Sequence, residues 1–537
     1  MEVNNIISAL SRLVHPPKHS TPIDQCVNHW LKNAKRILTI VNRDPAIVVP
    51  IIHIETPMSE ISRHVLLLAL FGKLNQFNEH YLQHIIAALL ATHWITTNSV
   101  HEERKALISF LTKRQLFVWR DIIRLQKAFA NSASLRRMLA DLRLTQAQRL
   151  SVISRLCATR SSNSSASTTF EIVVRNIAPL HRTLVSNLAT LFTRAGPGAK
   201  VFVGGKAGVV VDIQKDHAFV IALSDNDIDG TWQPFTRVMF PKPLFIPYEH
   251  LVALYSQTSD NRQYKGGNGF LPATYAIQAP PTSLTAIIDE LQKRDCEIPS
   301  LCEKIENVES FNLFLMHTAS QDNRLQLQVK NIKQAVMTYG IERVGDMLIQ
   351  FALMERLTQK QFPLMSTCKQ FTLLCCAIAS SLASMTNTKF SPQSAALTMT
   401  FLCSPLFTLP GLKIARKLPV NPEKPFSFNH AFHVKSEIPW ITSAGELAGN
   451  WHQSATWRAV IHHCNKQNEE IPSSLRKEHA LMQLAFALGK ISLFHGNIFT
   501  LGQDITFKTL LNQLSLSQKD IQSIITSQSA LLFCPLA

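Results

Sequence analysis

Near its C-terminal end the sequence reads WRAVIHHCNK (457–466), which sets His462, His463 and Cys464 side by side. Imidazole is the commonest metal-binding side chain, and thiolate suits zinc. A hydrolytic metal ion needs three or four ligands converging in space, so one short stretch supplies part of a site at most. The remaining ligands would have to come from other elements.

Other residues invite chemical readings. Gly204-Gly205-Lys206-Ala207-Gly208 has the look of a phosphate loop. Such a loop needs Ser or Thr after the Lys and a helix N-terminus facing the anion, whereas here Ala follows and the pattern turns to strand. A hairpin turn is the expectation. The stretch 113–149 carries nine Lys/Arg against two Asp, with Phe117, Trp119 and Phe129 among them. Its cations Lys113, Arg114, Arg120, Arg124, Lys127, Arg136, Arg137 and Arg143 are candidates for contact with an anion or nucleic acid, the aromatics stacking on bases. The blander alternative is an amphipathic helical pair with a solvated basic face and its aromatics in the core; no recognisable nucleic-acid module accompanies the charge. The chain has no G-x-S-x-G elbow, no H-E-x-x-H helix and no D-x-D-x-D-G loop, so no Ser or Cys has a sequence argument for activation.

The elements that must position these residues follow from size and periodicity. At 537 residues the chain exceeds one core and implies several domains. Hydrophobic residues make up 46%, ample for globular folding, and the formal charge of +17 would attract nucleic acid, acidic proteins or anionic lipid. The start, MEVNNIISAL, lacks the basic-then-apolar pattern of a secretory signal. The runs VLLLALF (65–71) and FTLLCCAIASSLA (371–383) are shorter than the roughly 20 residues that span a bilayer, and are expected as buried helices, with no transmembrane segment. Ten cysteines without a C-x-x-C pair fit reduced thiols and a cytoplasmic location.

Within a first helical domain of 1–195, residues 1–160 read as helix after helix; EISRHVLLLALFGKLNQ and YLQHIIAALLATHWI both repeat apolar positions at three- and four-residue intervals. A Ser-rich break follows at 159–169, and another helix is expected over 180–194. From Gly196 the pattern alternates and turns rich in Val, Ile and Phe, which predicts a small antiparallel β module over 196–257. Residues 258–282 read as a linker, and 283–537 as a second helical domain. In the latter Ile332, Ala335, Val336, Val344, Leu348 and Phe351 fall on inward faces, and Gly340 ends one helix and turns into the next.

Three stretches of this second domain resemble the HDOD family, non-catalytic relatives of the HD metal-dependent phosphohydrolases. NIKQAVMTYGIERVGDMLIQFAL (331–353) is similar to the family's helix–turn–helix. QFTLLCCAIASSLA (370–383) is similar to its next helix, and ELAGNWHQSATWRAVIHHCNKQNE (446–469) to the helices near its end. An active HD enzyme joins an early His, an adjacent His-Asp pair and later histidines around metal. Here Lys369 and Gln370 stand at the early position, Cys403 and Ser404 near the pair, and only His462 and His463 remain. Two ligands without a carboxylate do not neutralise a hydrolytic metal.

The stretch 61–95 is in turn similar to the opening of HD and HD-GYP phosphodiesterase domains. His64 matches the first ligand and Ala87-Ala88-Leu89-Leu90 the apolar run. Ala91-Thr92 replace His-Asp, and His93 lies two residues on, roughly 200° around the helix from the required place. PGAKVFVGGKAGVVVD resembles the tail that follows HD-GYP cores, yet residues 73–195 contain no glycine and no adjacent histidines.

The resemblances imply a mainly α chain of two HD-superfamily-like helical domains joined by the β module, with no catalytic residue, no cofactor and no bound metal. His64, His462 and His463 would be remnants. The implied role is that of a non-catalytic bacterial regulator working through contacts with other signalling proteins. The alternatives are a sensor that binds a cyclic dinucleotide without cleaving it, and a nucleic-acid-binding regulator using 113–149.

Overall fold

The computed structural model describes residues 3–17, 21–43, 58–97, 101–159, 172–186, 196–214, 217–223, 230–239, 245–258, 271–293, 295–322, 328–421, 423–434, 438–466, 468–494 and 504–528. The fold is mainly α with one small antiparallel sheet. Two compact units divide it: Met1–Ala273 with Lys360–Phe362, and Thr274–Gln359 with Pro363–Ala537. Most of the Ser-rich stretch, the end of the helix expected over 180–194, and 259–270 lie outside the described residues; within 180–186 the backbone forms only short turns of helix.

In the first unit the helix Glu60–Leu74 carries His64 and the helix Glu79–Thr97 carries His93. Both are apolar almost all round, so both are buried on nearly every face, the pattern expected of central helices. Ser59 caps the first, its Oγ accepting from the Ser62 amide at 3.3 Å. The helix Gln146–Ala158 packs along Glu60–Leu74. It begins with a capping box in which the Thr145 hydroxyl accepts from the Gln148 amide and the Gln148 side chain accepts from the Thr145 amide. Ile23–Arg43 and Phe117–Ile123 flank Glu79–Thr97, burying Trp30, Trp94 and Trp119 against one another.

The sheet runs β4-β3-β2-β1-β5, with β1 Lys200–Val203, β2 Lys206–Gln214, β3 His217–Ala222, β4 Gly230–Pro234 and β5 Val238–Met239. Gly204 and Gly205 turn β1 into β2 at φ +56° and +81°, backbone angles that glycine adopts without strain, so the glycine-rich motif is a hairpin. The run Val209–Val211 is apolar throughout because both faces are covered. Val209 and Val211, with Phe219 and Ile221, join the core of the helices, while Val210 packs with Val201, Ala218 and Val220 on the opposite face. A bulge between Val210 and Asp212 breaks the alternation.

The second unit centres on the helix Met365–Met385, packed between Pro392–Cys403 and Arg476–Phe494. By length and composition Met365–Met385 is the one described helix fit to cross a membrane, but Phe371, Leu374, Cys375, Ile378 and Leu382 lie inside the core, as in a central helix of a globular unit. Gly340 separates Ile332–Tyr339 from Ile341–Thr358 at φ +79°. The predicted inward residues are buried there, with Phe351 half-buried and stacked 4.4 Å from Phe314. Within the stretch read as linker, residues 275–278 are held to this unit. Gln359 donates to the Tyr275 carbonyl at 2.7 Å, Arg356 to that of Ala276 at 2.9 Å, and Trp451 to that of Ile277 at 2.8 Å.

Candidate functional site

The paired histidines close the helix Ala455–His463, which Ser454 caps by accepting from the Trp457 amide. His462 is exposed and His463 half-buried, their rings 5.3 Å apart and nearly perpendicular. A side chain within electrostatic reach of His463 is one the sequence pattern did not single out: His479, buried on Arg476–Phe494. Burial, with His463 as a lesser cause, pushes the His479 imidazole down to about 4, so it is neutral at pH 7. Neither of its ring nitrogens, nor Nδ1 of His463, has a hydrogen-bond partner among the described residues. Cys464 is buried and its thiol pushed up by burial, the opposite of what a ligand or nucleophile needs.

The positions that the resemblance sets against the family's metal ligands do not complete a site here. Lys369 is exposed, whereas Cys403 and Ser404 are buried. Cys403 pairs with the Cys375 thiol, which burial raises. Among the described residues no group of three or more His, Cys, Asp or Glu side chains is arranged to hold a metal ion. The described residues thus do not assemble the ligand set of an HD metal centre.

The first unit nonetheless keeps a cavity of about 370 Å³ beside His64. Its wall brings together Glu60, His64, Thr92, His93, Gln126 and Arg155 with the apolar Ile61, Leu89, Phe129 and Ala130. His93 lies in this wall as well. Its displacement along the helix carries it to another part of the same wall, because the cavity spans Leu89, Thr92, His93 and Thr96.

His64 lies with Nε2 3.1 Å from the Ser151 carbonyl oxygen, so Nε2 carries the proton and Nδ1 is left as an acceptor. Phe129 meets its ring edge-on at 5.3 Å. Burial first, and Arg155 second, push His64 down to about 3; the same two causes lower His93. Arg155 reaches in from Gln146–Ala158. Its Nε and Nη2 both donate to the Phe129 carbonyl at 3.3 Å, and Nη2 also pairs with Glu60 at 3.1 Å.

The basic stretch divides by face. Lys113, Arg114, Arg124, Lys127, Arg136, Arg137 and Arg143 are exposed and Arg120 half-exposed. Among the described residues Arg143 alone of these is ion-paired, to Asp141 at 3.1 Å. Arg114 and Arg120 lie over the rings of Phe110 and Phe117. Trp119 turns inward and donates to Nδ1 of the buried His84 at 2.9 Å, and Phe129 lines the cavity.

No family model matches the chain, and no curated protein does either. Two of the solved structures to which the chain is slightly similar can be named. One is an HDOD domain protein of unknown function from Geobacter sulfurreducens, 14% identical with a TM-score of 0.32, covering 48% of this chain and 90% of its own. The other is the MmoQ response regulator from Methylococcus capsulatus str. Bath, 12% identical with a TM-score of 0.26, covering 47% of this chain and 98% of its own.

Proposed function

We propose that the chain is a regulatory protein that acts by binding, through contacts of its HDOD-like second unit with other signalling proteins, and does not turn over a phosphodiester. The observation that carries this reading is how the histidines are employed. His64 is committed to the Ser151 carbonyl, and His463 lies within electrostatic reach of a neutral, buried His479 with no carboxylate arranged to complete a metal site among the described residues. A helical core of this kind is held by packing, so it survives loss of the ligands. The stretches that resemble the HDOD family fall on the helices Ile332–Tyr339, Ile341–Thr358, Met365–Met385, Trp440–Asn450 and Ala455–His463, in the order the resemblance requires.

The test is metal analysis by mass spectrometry on full-length protein purified without chelator, followed by assay on phosphodiesters. We expect far less than one metal per chain and no turnover above blank. Near-stoichiometric iron, manganese or zinc together with hydrolysis would overturn the reading.

A second reading has its own observation. Exposed cations without acidic partners run along 113–137, on a chain of formal charge +17. Regulation through nucleic acid would use this surface, its phosphates held by Lys and Arg.

A further inference from the structure

The cavity beside His64 is not the pocket of an anion. Its one cation, Arg155, is paired with Glu60, so the charged pair in the wall is balanced. What remains unsatisfied is a mixture of donors and acceptors. The Gln126 amide has no hydrogen-bond partner among the described residues, and its Oε1 is closed off, so the amide can offer the cavity only its Nε2 donors. Nη1 of Arg155 donates to nothing described, since the contacts of the guanidinium use Nε and Nη2. The His64 ring offers an acceptor in Nδ1, and His93, with no ring hydrogen bond, offers one donor and one acceptor.

A sulfate or a phosphodiester brings acceptors only, and inorganic phosphate mainly acceptors. Any of them would satisfy Arg155 but set its lone pairs against Nδ1 of His64, and a buried polar atom left unsatisfied is costly. A ligand with a neighbouring N–H and C=O satisfies both kinds at once. Between these polar groups the wall is apolar at Leu89, Phe129 and Ile61, which suits the face of a ring. The volume lies at the low end of the roughly 300–1,000 Å³ of small-molecule sites, room for a single ring system and not for a dinucleotide.

We infer that the cavity lined by His64, His93, Gln126 and Arg155 binds an uncharged planar heterocycle bearing a cyclic amide, of the nucleobase type. The amide N–H donates to a histidine nitrogen, and its carbonyl accepts from Nη1 of Arg155 or Nε2 of Gln126. The inference goes beyond the regulatory reading and stands without it: a heterocycle that bound and was chemically altered would count against that reading and not against this one.

The test is calorimetric titration of the full-length protein with uracil, hypoxanthine and xanthine, and in parallel with inorganic phosphate and a cyclic dinucleotide. We expect at least one base to bind with a Kd below 1 mM, about the affinity a small ligand needs to register. Gln126→Leu should weaken that binding at least tenfold, and Ala130→Phe should abolish it. Ala130 is exposed, so the second variant fills the cavity without entering the core; an unchanged thermal midpoint would certify its fold. Absence of binding by all three bases would overturn the inference. So would binding of phosphate or the cyclic dinucleotide that is tighter than that of any base, or base binding indifferent to Ala130→Phe.

Discussion

Three imidazoles, His64, His84 and His479, are held neutral by burial, at about 3, about 3 and about 4. Unfolded, each would titrate near 6.5. Between these limits the unfolded chain binds more protons than the folded one, so stability falls as the pH falls. The full contribution is present above 6.5 and is lost progressively from there down to the folded values. At pH 5 each costs up to about 2 kcal/mol. Thermal midpoints should therefore drop between pH 7 and pH 5, and His64→Gln should flatten the pH dependence of the first unit whatever it does to the midpoint at pH 7. A midpoint independent of pH over that range would show that these rings are solvated. At this scale the sequence was a partial guide. His64 drew notice in the sequence because its stretch resembles a family's pattern, and the structure places it in a cavity wall. His479 did not: a lone His on an apolar helix has no spacing to betray it, and only the packing of two helices sets it within reach of His463.

The crossing of helices in the second unit depends on a glycine. A Cβ on Gly489 would lie 2.4 Å from Sγ of Cys375, so Arg476–Phe494 approaches Met365–Met385 more closely than any side chain allows. Gly489→Ala should destabilise the unit by about 1–3 kcal/mol through overpacking, seen as a lower midpoint in urea. Adding Cys375→Ala removes the clashing atom and should restore most of the loss, and a double-mutant cycle would reveal the coupling. If the two changes are simply additive, the close approach is not the cause. Most of this level could be read from the sequence. Period-2 runs gave the strands, the glycine pair gave the hairpin, and Gly340 marked a helix boundary. What could not be read was the covering of the sheet. Val209 and Val211 lead into the core of the helices, and no local pattern tells which apolar face meets which distant partner.

For the whole molecule the excess of positive charge has a measurable form. If the surface of 113–137 holds a duplex, log K against log salt should be steeply negative, with about 0.9 for each phosphate engaged. Replacing Arg136 and Arg137 by Glu should reduce the slope by about 2 and weaken binding equally across sequences. Affinity unchanged by that double reversal would remove the nucleic-acid reading. Charge was legible in composition; its segregation was not. Trp119 and Phe129 sit among the cations in sequence yet belong to the core and the cavity wall, because a helix turns such neighbours to opposite sides.

The cysteines of the second unit make the protein its own clock. Cys368, Cys375, Cys376 and Cys464 are buried with thiols that burial raises, so alkylating reagents find almost no thiolate while the unit is closed. Each becomes reactive only when its helix opens, and the rate of label uptake then reads the opening equilibrium of that helix. Pulses of iodoacetamide followed by peptide mass spectrometry would order the openings from Ala455–His463 to Met365–Met385. Addition of a partner protein would be registered as a slowing of that clock at whichever thiol lies beneath the contact.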